Sequence, residues 1–121
     1  MKHLCAFLFL ILLVIILVIS CSSSLSLIEA SMPNLIGKPD GVYRGEYNVR
    51  GTPVKVVLDV SMQDERITNI TIIKHISSSI GKRAERIIPD IIFRQSLEVD
   101  IISGATGSSM GILKAVENAL Q

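Results

Sequence analysis

The segment from Val99 to Gly111, VDIISGATGSSMG, places small and hydroxyl-bearing side chains directly before a stretch with helical spacing. Gly104 permits a positive φ and lets a ligand approach the backbone closely. A helix that begins near Thr106 presents unpaired N–H groups and a partial positive charge. The neighbouring hydroxyl groups belong to Ser103, Thr106, Ser108 and Ser109. Together these features predict a site for a negatively charged group such as a phosphate.

Other chemistries fit this segment less well. Its glycines do not spell G-x-G-x-x-G, and no lysine follows a glycine there to complete a P-loop. Thr106 is no catalytic nucleophile by pattern, because His75 is the only histidine after the leader and no triad is visible. A purely structural alternative stays open, in which Thr106 or Ser103 caps the last helix and contributes about 1 kcal/mol.

Charge and cysteine content narrow the function further. Residues 21–121 carry 11 basic and 11 acidic side chains, so a nucleic-acid-binding surface is not indicated. The only cysteines, Cys5 and Cys21, lie in or beside the N-terminal apolar segment, which leaves the remaining chain without a disulfide or an iron–sulfur cluster. With two histidines in the whole chain, no metal site is predicted, and any cofactor should be organic.

The N-terminus predicts export. Leu4 to Ile19 is an uninterrupted apolar run behind Lys2, and no further basic residue occurs before Lys38, so the rest of the chain should lie outside the cytoplasm. Val18-Ile19-Ser20-Cys21 resembles a bacterial lipobox, in which Cys21 becomes the acylated first residue of the mature protein. The alternative is a signal-anchor helix that happens to contain a cysteine.

The resulting division is a lipoprotein-type signal or anchor over 1–21, a serine-rich tether over 22–39 and a domain over 40–121. Alternation and turn residues predict strands over 42–49, 54–62 and 67–75 in an antiparallel meander. Helical spacing follows, interrupted by Pro89, then a short strand over 97–102 and a C-terminal amphipathic helix. The predicted fold is α+β, a small antiparallel sheet packed by two or three helices.

The segment Asp100-Ile101-Ile102-Ser103-Gly104-Ala105-Thr106 resembles the flavinylation motif D-x-x-[ST]-G-A-[TS] of the FMN-binding domain family. That family includes flavin-carrying components of the sodium-pumping NADH:quinone reductase and of the related Rnf complex. The similarity continues through Ser108-Ser109 and ILKAVENAL, and backward through IIPDII, QSLEVD, VKVVLDV and DGVYRGEY.

The resemblance implies that a dedicated flavin transferase, with FAD as donor, esterifies the FMN phosphate to Thr106. Asp100, Ser103, Gly104 and Ala105 would present this threonine, and Ser109 would complete the cofactor site. Many relatives carry His-x-Glu-Thr-Pro-Gly near the flavin ring, where this chain has HISSSIG, residues 75–81. We therefore expect His75 to be a partly exposed histidine at a strand end, in preference to a flavin contact.

The implied function is that of a membrane-tethered, extracytoplasmic electron carrier with covalent FMN, in preference to a complete enzyme. Its partners would be the membrane, the flavin transferase, and redox proteins of the membrane or the extracytoplasmic space. Two alternatives remain: a module that binds FMN or another phosphorylated ligand without a covalent bond, and a structural domain with an unmodified motif.

Overall fold

The computed structural model describes residues 1–19 and 30–121 of the 121-residue chain. In chain order its elements are α1 (Lys2–Ile19), β1 (Gly41–Asn48), β2 (Lys55–Gln63), β3 (Arg66–Ile76), a 3₁₀ helix (Gly81–Ile87), α2 (Ile88–Arg94) and α3 (Thr106–Leu120). The predicted α+β class and the three predicted strands of the meander are confirmed.

The three strands form one antiparallel sheet in the order β1-β2-β3. Along β2, Val56, Leu58, Val60 and Met62 are buried, and the residues between them are more exposed. This period of two follows from the pleat, which sends successive side chains to opposite faces. The buried face of the sheet forms one side of the hydrophobic core.

The β2–β3 hairpin turns on Asp64 and Glu65, which both have positive φ values, 50° and 58°. A two-residue turn with this backbone matches the twist of antiparallel strands but usually uses Asn or Gly. The segment before β1 braces it: Asp64 N–H donates to Asp40 Oδ1 at 2.9 Å, and Gly37 N–H donates to Glu65 Oε1.

Helix α3 lies against β1 and β2 and fills the centre of the core. Two glycines set how closely it approaches. A Cβ atom at Gly45 of β1 would lie 1.8 Å from the backbone oxygen of Ala115, and one at Gly111 would lie 3.2 Å from Val56 Cγ2. The backbones of α3 and β1 therefore approach more closely than any side chain at position 45 permits.

The predicted interruption near Ile88 is confirmed. The 3₁₀ helix ends at Ile87, and α2 begins at Ile88 with Pro89 in its first turn. Proline is tolerated there because the N–H it lacks would have no intrahelical partner. Helix α2 ends at Arg94, and the C-cap residue Gln95 has a left-handed φ of 52°.

The strand predicted over 97–102 is wrong, because this segment runs as coil. The outer edge of β3 is engaged instead by the side chain of Gln95, whose amide accepts from Ile67 N–H and donates to Ile67 C=O, both at 2.8 Å. Leu97 is buried and Val99 half-buried, so the alternation that suggested a strand reflects packing on the core.

At the N-terminal side, residues 4–15 of α1 expose their side chains. Within residues 1–19 and 30–121, no helix combines the length and the apolarity needed to cross a membrane. Ala30, Met32 and Leu35 pack against the core, although they precede the predicted boundary at residue 40. The predicted three-part division stays a prediction, and Cys21, the predicted lipidation site, lies outside the described residues.

Candidate functional site

The candidate site is the corner formed by residues 102–106, where the coil after α2 enters α3. Ala105 N–H donates to Ile102 C=O at 2.9 Å, which closes a tight turn. Gly104 within it has a φ of 79°, a left-handed conformation that strains residues with a Cβ atom. The turn therefore depends on glycine at this position.

The buried hydroxyl group of Ser109, in α3, stabilises the corner through hydrogen bonds. Ser109 is fully buried, and its Oγ accepts from Ile102 N–H at 3.2 Å and donates to Ala105 C=O at 2.9 Å. The backbone N–H of Ser109 also donates to Ala105 C=O at 2.9 Å. One side chain thus fixes both ends of the turn. Ser109 holds the corner in shape, and its predicted contact with a cofactor stays a prediction.

Thr106 is the first residue of α3, and its side chain is exposed. The N-cap position belongs to Ala105, and no side chain donates or accepts a capping hydrogen bond at this helix start. The structural alternative, in which Thr106 or Ser103 caps the helix, is therefore wrong for this structure. Alanine is among the least favourable N-cap residues, so the first-turn N–H groups are left for another partner.

The other motif residues divide by exposure. Asp100, Ser103 and Gly104 are exposed, whereas Ala105 is 4% exposed and points into the core. Ser108, which the sequence suggested as a hydroxyl for an anion, is 3% exposed. The corner therefore offers two exposed hydroxyl groups, those of Ser103 and Thr106. The assignment of site residues from the motif stays a prediction.

The loop after β3 lies beside this corner. The sequence alone did not indicate where this loop lies relative to the motif. A Cβ atom at Gly81 would lie 2.6 Å from Ser108 Oγ, and one at Gly104 would lie 3.8 Å from Ile80 Cγ2. Ile80 is 50% exposed, and Ile101 on the other side of the turn is 42% exposed. These two isoleucines were missed, since an exposed apolar residue beside a motif has no periodic signal in the sequence.

His75 lies near the end of β3 and is partly exposed as a residue, as expected, but its side chain is covered. It pairs with the fully buried Val56 in the sheet register, and its side chain is 2% exposed. The 3₁₀ helix contributes Glu85, whose Oε1 lies 2.8 Å from His75 Nδ1. The other ring nitrogen of His75, Nε2, is the one buried side-chain nitrogen or oxygen in the described part of the chain without a hydrogen-bond partner. The exposed part of this residue is therefore its backbone, which the sequence pattern does not distinguish from an exposed side chain.

Two ion pairs lie on the outer sheet face. Arg44 Nε donates to Asp59 Oδ1 at 2.7 Å, and this hydrogen-bonded guanidinium lowers the pKa of Asp59 and has its own pKa raised in return. Lys55 Nζ donates to Glu46 Oε1 at 2.6 Å beside them. Among residues 1–19 and 30–121, no group of three His, Cys, Asp or Glu side chains is arranged to hold a metal ion.

Comparison with known proteins decides the family. Residues 50–121 match the family model described as FMN-binding domain. The chain belongs to the FMN-binding domain family. It is also 34% identical over 84 residues to an uncharacterized protein of Treponema pallidum (strain Nichols). The match covers 68% of this chain and 23% of that protein, so the chain corresponds to about a quarter of its relative.

The corner fits the FMN of this family on three structural grounds. An uncapped helix start places N–H groups and a partial positive charge beside an exposed hydroxyl, where a phosphate is stabilised. The exposed tip of the turn carries no bulky side chain, since its central residues are Ser103 and Gly104. Exposed apolar surface at Ile80 and Ile101 offers contact for an aromatic ring system.

Proposed function

We propose that this FMN-binding domain protein is a membrane-tethered, extracytoplasmic electron carrier whose FMN is esterified to Thr106. The observation that carries the proposal is the position of Thr106: an exposed hydroxyl at the uncapped start of α3, in the last place of a flavinylation-type motif. Membership of the FMN-binding domain family supports the cofactor, and the structure of the corner supports the attachment point.

The attachment reaction is a transfer of FMN from FAD by a flavin transferase. The Thr106 oxygen forms a bond to the FMN phosphorus while the pyrophosphate bond of FAD breaks. AMP leaves, and the hydroxyl proton passes to the transferase or to solvent. The protein's part is to keep Thr106 accessible, which is favoured because Gly104 has no side chain and the methyl group of Ala105 is buried.

After attachment, the phosphodiester keeps one negative charge at the start of α3. The helix dipole and the free N–H groups of the first turn stabilise such a charge by about 0.3–1 kcal/mol where exposed. Ser109 prevents the corner from opening, because it ties Ile102 to Ala105. Asp100 and Ser103 lie exposed before the turn, where a transferase can contact them.

The tether follows from the N-terminal sequence, either as a lipid on Cys21 or as the retained apolar segment. A covalent cofactor suits an exported domain, because that compartment lacks the cytosolic FMN pool. FMN supplies the redox chemistry, and the protein supplies its position and its access to partners. We propose a carrier in preference to a complete enzyme.

The test is in-gel flavin fluorescence of the full chain, co-produced with a flavin transferase and denatured before electrophoresis. We expect a fluorescent band for the wild type and for Thr106→Ser, and none for Thr106→Ala. Thr71→Ala, which removes an exposed threonine from β3, should leave the band unchanged. A fluorescent Thr106→Ala band would refute attachment at this residue.

The same gel separates the main alternative. If the native protein is yellow but the denatured wild-type band is dark, FMN is bound without a covalent bond. If the native protein is colourless in the presence of an active transferase, the motif is unmodified and the domain has another role.

A further inference from the structure

The 3₁₀ helix arranges its side chains in rows, because its period is three residues. One row, Gly81, Ala84 and Ile87, is buried. The adjacent row consists of Ile80, Arg83 and Arg86, and both arginines are exposed. We name these three residues the arginine row.

The arginine row begins at the proposed flavin attachment corner. Its first member, Ile80, lies within van der Waals reach of position 104, and the neighbouring Gly81 packs tightly against the first turn of α3. A partner that covers the row is therefore adjacent to Thr106. The row runs from this contact toward α2.

The surroundings of the row are basic. Residues 81–94 hold four cations, Lys82, Arg83, Arg86 and Arg94, all exposed. None of them has a carboxylate within 4.0 Å among residues 1–19 and 30–121. The two carboxylates of this stretch are Asp90 and Glu85, and Glu85 is engaged by His75. Glu98 and Asp100 lie on the coil that leads into the corner from the other side.

An exposed aromatic ring lies on α2, the helix that directly follows the row. Phe93 of α2 is 87% exposed, the highest value of any large apolar side chain between residues 30 and 121. Aromatic residues and arginines are the types most enriched at protein interfaces, whereas lysine and glutamate are depleted. The combination of Arg83, Arg86 and Phe93 therefore has the composition of a docking surface.

We propose that the arginine row is the docking surface for an acidic redox protein that exchanges electrons with the flavin, an inference that rests on the proposed function. Because residues 21–121 are formally neutral, the net charge cannot steer a partner, and only a local basic surface can. An anionic lipid surface has the same charge, but it carries no electrons, and the start of the row beside position 104 of the attachment corner favours a partner that does.

The electron balance is simple for a one-electron partner. Two molecules of the reduced acidic protein each give one electron to the oxidised flavin, which takes up two protons from solvent and becomes fully reduced. Each partner molecule leaves oxidised by one electron. No further oxidant or reductant enters the step.

Binding is tested first without flavin, so that the result does not depend on attachment. The full chain carrying Thr106→Ala is titrated with a small acidic ferredoxin at low ionic strength, in nonionic detergent. Adding Arg83→Glu should weaken binding about fivefold or more, and the effect should fade at high salt. The matched control is Arg66→Glu, an exposed arginine at the opposite end of β3, which should change binding by less than about twofold.

Electron transfer is tested next with the flavin-loaded wild-type protein. Reduced ferredoxin is mixed with it, and flavin bleaching is followed by stopped flow at several salt concentrations. The rate should fall with salt for the wild type and for Arg66→Glu, and should be slower and nearly independent of salt for Arg83→Glu.

Two results would overturn the inference. One is an equal effect of Arg83→Glu and Arg66→Glu on ferredoxin binding. The other is a loss of binding to phosphatidylglycerol vesicles in Arg83→Glu with ferredoxin binding unchanged, which would assign the row to lipid. Failure of the proposed function is seen separately, as absence of covalent flavin in the wild-type protein.

Discussion

Replacing Gly45 by alanine should be among the most damaging single changes in this protein. The new Cβ atom would lie 1.8 Å from Ala115 O, 2.9 Å from Ala115 C and 2.8 Å from Ala119 Cβ. Ordinary contact begins near 3.4 Å. Helix α3 would therefore have to move away from β1 by about 1.6 Å, and the backbone carbonyl cannot rotate aside as a side chain would.

The cost follows from that displacement. Overpacking of a well-packed core costs about 1–3 kcal/mol and sometimes more, and a clash with backbone belongs at the upper end. Alanine also restricts the unfolded chain, which offsets about 0.4–1 kcal/mol. We expect a net loss of about 2–2.5 kcal/mol in the free energy of unfolding, or a melting temperature lower by roughly 10–15 °C for a domain of this size.

The assay is thermal and urea unfolding of the full chain, followed by circular dichroism. Gly107→Ala is the matched control, since a Cβ atom there meets nothing within 4 Å and alanine favours a helix by about 0.5–1 kcal/mol. Adding Ala119→Gly to Gly45→Ala should restore little, because the carbonyl clash remains. A Gly45→Ala protein as stable as the wild type would refute the close approach of α3 and β1.

Three further changes test the corner and the sheet. Ser109→Ala should cost about 2 kcal/mol of unfolding free energy and lower flavin attachment, since it removes two hydrogen bonds and leaves Ile102 N–H without its acceptor; urea unfolding and in-gel fluorescence measure both. Gly81→Ala should reduce attachment by displacing the loop beside α3, seen as weaker fluorescence at equal loading. Asp59→Asn should reduce the loss of stability at acid pH. Because Arg44 lowers the pKa of Asp59, the stabilisation by this carboxylate is present above about pH 4, the pKa of an aspartate in the unfolded chain, and is lost as the pH falls through the lower pKa of the folded state. Thermal melts between pH 2 and 7 would show no difference from wild type if this pair contributed nothing.

The sheet could be predicted from the sequence because its pattern is local. The alternation of Val56, Leu58, Val60 and Met62 reports the pleat directly, and Pro89 marks the junction between the two central helices. The coil at 97–102 could not be distinguished from a strand, since Leu97 and Val99 alternate with polar residues in either case. The edge of the sheet is occupied instead by the side chain of Gln95, which bonds to Ile67 N–H, 28 residues away in the sequence.

The site was predictable only in part. The motif located the corner at Ser103 to Thr106, and the structure gives it an exposed threonine at a helix start. The sequence does not show which hydroxyl groups face solvent. Ser109 is buried, and its hydroxyl group stabilises the turn through a hydrogen bond to Ala105 C=O. The burial of His75 likewise depends on the 3₁₀ helix, whose Glu85 lies ten residues further along the chain.

The central claim, that Thr106 carries the cofactor, is tested most directly by intact mass of the denatured full chain after co-production with a flavin transferase. We expect a gain equal to one FMN less one water, mapped by peptide fragmentation to the segment that contains Thr106 and absent from Thr106→Ala. An unmodified mass, or a flavin mapped to any other residue, would contradict it.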